Sequence, residues 1–540
     1  MGHSVLFFPR LGPILRDRRI AAMHKRLYHL SHGIMTALAC LFTVLVFLLN
    51  VLYQSEVSYT KYEVTTISGS LKFSLLTLAV WAVVITAAAF LRGRLRMRDI
   101  DEKKLFYLLT VLYAIAALYL ILNVDTTLRA DAETTFNSAK AFRLGDRSML
   151  QKGGYMYRYP HQLGLMLYDC ILSCLSTNPA FNFVMNFAFV IGINCLSWKI
   201  SDTLFHDKAV NLLTIVCAFA FLPQLFFILF AYGLTPGFFF LMLAFYAALV
   251  FAQRLRMRDL VVLALSAAAA ILLKRNYMIG VMALVIFFLL KLMERKNLRY
   301  LLAACVLAVC MVVPSQLLVS GFEAASGTQL NEGTPSVLWV AMGTDLDNTK
   351  RAPGWCDSSN YDIYTDCGSS RAASAAVGKE KLAENFADMR RDPARACRFF
   401  RDKTISQWCE PMYQSVWTGP LESCGQYTHT RILVSLYNGG TVENMAEAFS
   451  KFLTLTLWGC AAAFLLLFRK GHSGWEILFL FFMGGLLFHT AWEGKSQYIY
   501  PYVFCLIPCA MYALRRGVTK IAGRIRPGAF AQPDHEAAGS

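Results

Sequence analysis

Charge is scarce in this chain. Charged residues make up only 16% of the 540 positions, where an ordinary soluble domain carries about a quarter. That shortage excludes a conventional water-soluble enzyme. No Cys-x-x-Cys pair and no Cys/His cluster at metal-ligand spacing occurs among the fifteen cysteines, which argues against a structural zinc module. Internal repeats are missing too, which disfavours transporter folds built from duplicated halves. The opening residues (MGHSVLFFPRLGPILRDRRIAAMHKRLYHL) lack the short apolar core and small-residue cleavage site of a signal peptide. They read as a basic cytoplasmic tail, 1–32, ahead of the first span.

What is abundant is apolar sequence. Hydrophobic residues reach 56%, gathered into runs of the ~20 residues that cross a bilayer as a helix. The reading is an all-α polytopic membrane protein. The formal charge of +17 fits short basic loops on the cytoplasmic side of such a protein, so nucleic acid is not an expected partner.

Spans are expected near 33–54, 72–92, 105–124, 259–274, 278–292, 300–319, 452–468, 475–491 and 498–514. The basic loops RGRLRMR, QRLRMR, MERKNLR and FRKGH then all fall on the cytoplasmic face. Four apolar runs between 160 and 254 must give an odd number of crossings, and 161–176 is the shortest. It is expected to be re-entrant or interfacial, which leaves about 12 crossings. The expected organisation is an N-terminal transmembrane module over 33–319 with a first large loop at 125–160. An extracytoplasmic subdomain over 320–450, C-terminal helices over 451–515 and a basic tail over 516–540 follow. On an oxidising face, Cys356 with Cys367 and Cys409 with Cys424 are the pairings to expect, and an odd count leaves one thiol over.

The first large loop holds DAETTFNSAKAFRLG. Asp131 and Glu133 sit in its first turn, Lys140 and Arg143 in its last, and Gly145 beyond, which are helix start and stop signals. Ala132, Phe136, Ala139 and Arg143 recur on one side, as in an interfacial helix. Asp131 then either caps its own helix or has a functional part at the mouth of the third span. An early loop aspartate, Ala139 to Asp146 as "Axx(L/F)xxGD", and the Tyr-Pro corner YRYPHQLG (157–164) resemble the GT-C superfamily of polytopic glycosyltransferases. Within it, the chain is most similar to bacterial relatives of protein O-mannosyltransferases and aminoarabinose transferases. LLKRNY (272–277), APGWCDSSNYD (352–362) and WEGKSQYIYP (492–501) extend the likeness over most of the chain. The corner departs from the family's usual Tyr-Pro-Pro.

The resemblance implies a GT-C-like fold in a bacterial plasma membrane, with its active site on the extracytoplasmic face. It implies a sugar moved from a polyprenyl-phosphate donor to an envelope polymer, lipid or protein, with inversion. Asp131 would be the general base, with Asp125 and then Glu133 behind it. Nucleotide sugars are not available outside the cytoplasm, and a lipid phosphate leaves without a strong general acid. The protein needs a carboxylate to take the acceptor's proton, cations for the phosphate and a groove for the prenyl tail. Lys274, Arg275, Lys495 and Arg158 are the candidate cations, since charges at a membrane edge are costly unless used; snorkelling to lipid headgroups is the plainer role. Tyr159, His161 and Glu493 are candidate substrate contacts, Glu493 pairing with Lys495 or another cation. Trp339, Trp355, Trp408 and Trp417 could face sugars or build core. No DxD pair stands in the first loop, and Asp345–Asp347 lies far along the chain, so no cofactor is expected, although a divalent metal stays open. The competing readings are a transporter or lipid flippase, which needs charges near mid-membrane, and an envelope-polymer ligase or polymerase.

Overall fold

Most apolar runs become helices, and many of those helices keep one flank bare. The computed structural model describes residues 11–58, 60–91, 99–330 and 333–525; the RGRLRMR loop and the ends of both tails lie outside them. Helix α1 (Leu11–Leu52) leads into a hairpin, β1 (Tyr53–Val57) against β2 (Thr65–Gly69), then α2 (Leu71–Leu91) and α3 (Glu102–Leu122). The first large loop carries α4 (Ala130–Arg143) and the single turn α5 (Tyr155–Arg158). Then come α6 (Leu163–Ser173), α7 (Pro179–Phe205), α8 (Lys208–Ala220), α9 (Leu222–Phe226), α10 (Leu234–Arg254), α11 (Met257–Leu273), α12 (Met278–Arg295) and α13 (Leu298–Ser326). The long loop folds as α14 (Val337–Thr344), α15 (Ser359–Asp366), α16 (Arg371–Arg391), α17 (Pro393–Trp408) and α18 (Arg431–Tyr437). Helices α19 (Thr441–Ala463), α20 (Glu476–Ala491), α21 (Tyr500–Cys505) and α22 (Ile507–Ile525) close the chain.

On α3, Leu108, Val111, Leu112, Ile115, Leu118 and Leu122 form a stripe 54–67% exposed. A soluble protein would not leave such a stripe in water; in a bilayer it meets lipid. This is an all-α, multi-pass membrane protein. Among the described residues seven helices are long and apolar enough to cross, and nine if α8 with the segment to Leu229 (bent by 50°) and α21 with α22 (bent by 51°) each make one span. The other three of the twelve expected crossings are shorter. Helix α11 has 17 residues and α20 has 16, and the apolar described part of α2 is Leu71–Ala87. At 1.5 Å per residue each rises about 24–26 Å against a core of about 30 Å. Helix α6, over the segment expected not to cross, has only eleven residues and packs on α4.

Helix ends follow local chemistry. Asp101 accepts from the Lys103 and Lys104 amides to start α3, Asp207 caps α8, and Asn178 with Pro179 opens α7. Inside the bundle small residues let backbones approach: a Cβ on Gly280 of α12 would stand 2.6 Å from Leu241 of α10.

The two ends of the bundle differ. Arg299 donates to the Leu255 carbonyl (3.0 Å), Lys291 reaches Ser473 (3.4 Å) and His32 pairs with Glu476 (3.3 Å). The basic connectors QRLRMR, MERKNLR and FRKGH therefore share one end. The hairpin, the first large loop, residues 274–277, the long loop and residues 492–498 meet at the other. There Ser55 donates to the Cys409 carbonyl (3.1 Å), Asp125 to that of Tyr427 (3.0 Å) and Gly494 to that of Gly354 (2.8 Å). The long loop shares its core with the span helices, for Trp408 and Tyr413 pack in one cluster with Trp458 and Tyr502.

All fifteen cysteines are free thiols, against the expected pairings. Cys356 precedes α15 and Cys367 ends it, as separate thiols. Cys409 is fully buried beside β1, whereas Cys424 stands near Arg129.

Candidate active site

Helix α4 buries Ala132, Phe136 and Ala139, the apolar face read from the sequence, and this anchors its first turn. Ala130 turns through a left-handed conformation, φ 53°, immediately before Asp131. The N-cap is Arg129, without a side-chain bond, so Asp131 does not cap its own helix. Its Oδ2 accepts instead from the Tyr232 hydroxyl at 3.1 Å. Tyr232 lies at the break before α10; its hydroxyl also accepts from Gln162, and the Tyr155 hydroxyl faces both Tyr232 and Asp131.

Lys274 ends α11 with its Nζ 4.2 Å over the ring of Tyr232 and 5.4 Å from that of Tyr498. Burial pulls its ammonium down to about 8, with Asp131 and Glu493 opposing the fall and Lys495 adding to it. Arg275 is exposed, towards Arg371. Burial and the Arg275 and Lys274 charges lower His161 to about 3, so it is a neutral hydrogen-bonding group.

Lys495 Nζ binds Glu63 Oε1 at 3.0 Å. Burial works against this ammonium, but Glu63 and Glu493 hold it above the ordinary lysine range. The expected Glu493–Lys495 pair is thus replaced: Glu493 accepts from the Tyr498 hydroxyl at 2.8 Å, and burial raises its carboxyl above the usual range. The Lys403 ammonium, almost wholly buried, donates to the carbonyls of Gly343 (2.5 Å), Trp492 (2.6 Å) and Thr490 (3.0 Å), fixing the approach to Glu493.

Other expected site residues have partners of their own or point to solvent. Asp125 accepts from the Tyr427 amide (2.8 Å) and lies 3.4 Å from the His429 ring nitrogen; it ties the first loop to the long one. Glu133 is exposed. The Arg158 guanidinium lies over Tyr361 at 4.2 Å and Tyr159 at 5.7 Å. Among the described residues no three His, Cys, Asp or Glu side chains converge as metal ligands; Asp347 pairs with Arg395.

The tryptophans divide. Trp355 and Trp408 are core. Trp339 stacks on Trp492 at 5.7 Å and continues through Tyr159 (6.0 Å) to Tyr155, while Trp492 meets Phe488 at 5.0 Å. An aromatic wall thus runs from beside Asp131 to the end of α20. Asp131 also borders a solvent-open cleft lined by Glu63, Asp125, Arg129, Trp417, Gln426, Lys495 and Gln497, among others.

The chain matches no family model and no curated protein. The reading of the site therefore rests on its geometry. Sequence reasoning missed Glu63, Tyr232 and Tyr155, and passed over Gln162 inside the quoted YRYPHQLG. Tyr498 was within its reach, inside the quoted WEGKSQYIYP. Taken together, the site offers a carboxylate held by a phenol, an ammonium across the same ring, and an aromatic flank.

Proposed function

We propose that the protein is a GT-C-type membrane glycosyltransferase that moves a sugar from a polyprenyl-phosphate donor to an extracytoplasmic acceptor. One observation carries the reading: Tyr232 touches both the Asp131 carboxylate and the Lys274 ammonium, at the bundle end opposite the basic connectors. By the positive-inside rule that end faces away from the cytoplasm. Counting α2, α11 and α20 as spans gives twelve crossings, and a bacterial plasma membrane suits the donor.

The acceptor oxygen attacks the anomeric carbon from the face opposite the phosphate, Asp131 takes its proton, and the carbon–oxygen bond to phosphate breaks with the electron pair leaving on polyprenyl phosphate. Lys274, Arg275 and neutral His161 receive the charge that develops there. Lys495 is committed to Glu63, so its part is to hold the loop. The aromatic wall is where a prenyl chain lies. A transporter would place its charges on broken helices near mid-membrane, whereas these groups come mainly from connectors at one end.

The test is donor consumption and sugar transfer by the purified protein in lipid nanodiscs. Lys274→Ala and Arg275→Ala are each expected to weaken polyprenyl-phosphate binding about 10- to 100-fold, the worth of one charge-assisted bond; unchanged affinity in both would remove their role. The charged form of Lys274 dominates below pH ~8 and is lost above it, so donor affinity should fall as pH rises through that value. Bound phosphate favours the ammonium and moves this limb upwards. Lys274→Arg, charged at every working pH, should abolish the limb; a limb surviving in that variant would assign it to another group.

A further inference from the structure

We infer that the cleft on the Trp417 side of Asp131 is a carbohydrate-binding subsite, and hence that the acceptor is a saccharide. Naming it the acceptor site rests on the transferase reading; the binding of sugar there does not.

The cleft contains polar groups whose bonding is unfinished. Gln426 and Gln497 are 7% and 5% exposed, both line the cleft, and each leaves its amide oxygen without a hydrogen-bond partner. Gln426 cannot simply turn its amide round, because its Nε2 donates to the Thr127 carbonyl at 2.7 Å. Arg129 lies with its guanidinium 4.2 Å from the Trp417 ring and bonds the Trp417 carbonyl, yet its buried Nε has no partner. Buried polar groups are nearly always satisfied, and those that are not point to a missing ligand or water. Here two acceptors and one donor stand unmet around the carboxylates of Asp125 and Asp131.

The chemistry selects among ligands. A hydroxyl both donates and accepts, so ring hydroxyls suit a mixed set of glutamine oxygens and an arginine N–H. A serine or threonine in a peptide brings one hydroxyl. The wall of Tyr159, Trp339 and Trp492 contributes no residue to the lining of the cleft, so lipid and sugar would use different surfaces near Asp131.

The experiment uses the full chain in nanodiscs, with saccharide binding read first without donor and consumption and transfer read after polyprenyl-phosphate sugar is added. Glucan, galactan, mannan and N-acetylglucosamine oligomers of about two to six units are the probes, read by saturation-transfer NMR and calorimetry. At least one should bind, and Gln426→Leu with Gln497→Leu should weaken it by about tenfold or more. Binding of polyprenyl phosphate should stay within about twofold, which shows the fold intact. Should a leucine variant not fold, Gln426→Asn, with the amide drawn back by one methylene, takes its place. Absence of binding to all four, or binding unmoved by the substitutions, overturns the subsite. Saccharide binding without any donor consumption keeps the subsite and sinks the transferase. Transfer to a serine peptide but to no saccharide keeps the transferase and overturns the carbohydrate assignment.

Discussion

Asp131→Asn is expected to lower the transfer rate by about 10²-fold or more, the lower part of the range for a positioned base, with donor affinity nearly unchanged. The substitution isolates proton transfer. An asparagine oxygen can still accept from Tyr232, whose hydroxyl sits 3.1 Å from Asp131 Oδ2, so the site keeps its shape and loses only its basicity. Asp125→Asn is the matched control. Its carboxylate takes the Tyr427 amide at 2.8 Å, a bond that an amide oxygen also makes, and its effect on rate should stay below about tenfold. Single-turnover measurement with saturating donor and acceptor separates the two variants. Full activity in Asp131→Asn together with a collapse in Asp125→Asn would move the base to Asp125, six residues earlier.

Legibility tracked how local each signal was. Apolar runs marked the span helices, and the buried face of α4 was readable because helical spacing of Ala132, Phe136 and Ala139 lies within one segment. Lys274 stood out as a cation beside an apolar run. The hairpin was missed because its strands have five residues each, next to a much stronger helix signal. Glu63 was invisible for the same reason, and its partner is 432 positions away. Tyr232 hid inside a phenylalanine-rich stretch that read as ordinary packing, and only the bend after α8 presents its hydroxyl to Asp131. The disulfide expectation was not met, for all fifteen thiols are free, and spacing along the chain does not reveal which cysteines meet in the fold.

Lys495→Met should be the most destabilising single change at the site. The pair with Glu63 is 3.0 Å long, with side chains only 16% and 6% exposed, and removing one partner of a buried pair typically costs about 3–5 kcal/mol because a lone charge stays behind. Here two carboxylates lose their cation, since Lys495 also offsets Glu493. Lys403 cannot take over, being held by three carbonyls. Glu63→Gln should cost less, because Lys495 keeps Glu493 nearby. Lys495→Met with Glu63→Gln should recover part of the loss, the signature of a coupled pair. The pH dependence has a fixed sign. In Lys495→Met the Glu493 carboxyl, already raised by burial, loses the cation that lowers it and holds its proton more tightly folded than unfolded, so stability falls with rising pH and the deficit against wild type narrows as pH falls from ~7 to ~5. Equilibrium denaturation in matched lipid or detergent reads all three variants. A deficit that stays constant with pH would mean that Lys495 does not offset Glu493, and a double variant no better than Lys495→Met alone would mean that Glu63 is not the partner whose charge Lys495 neutralises.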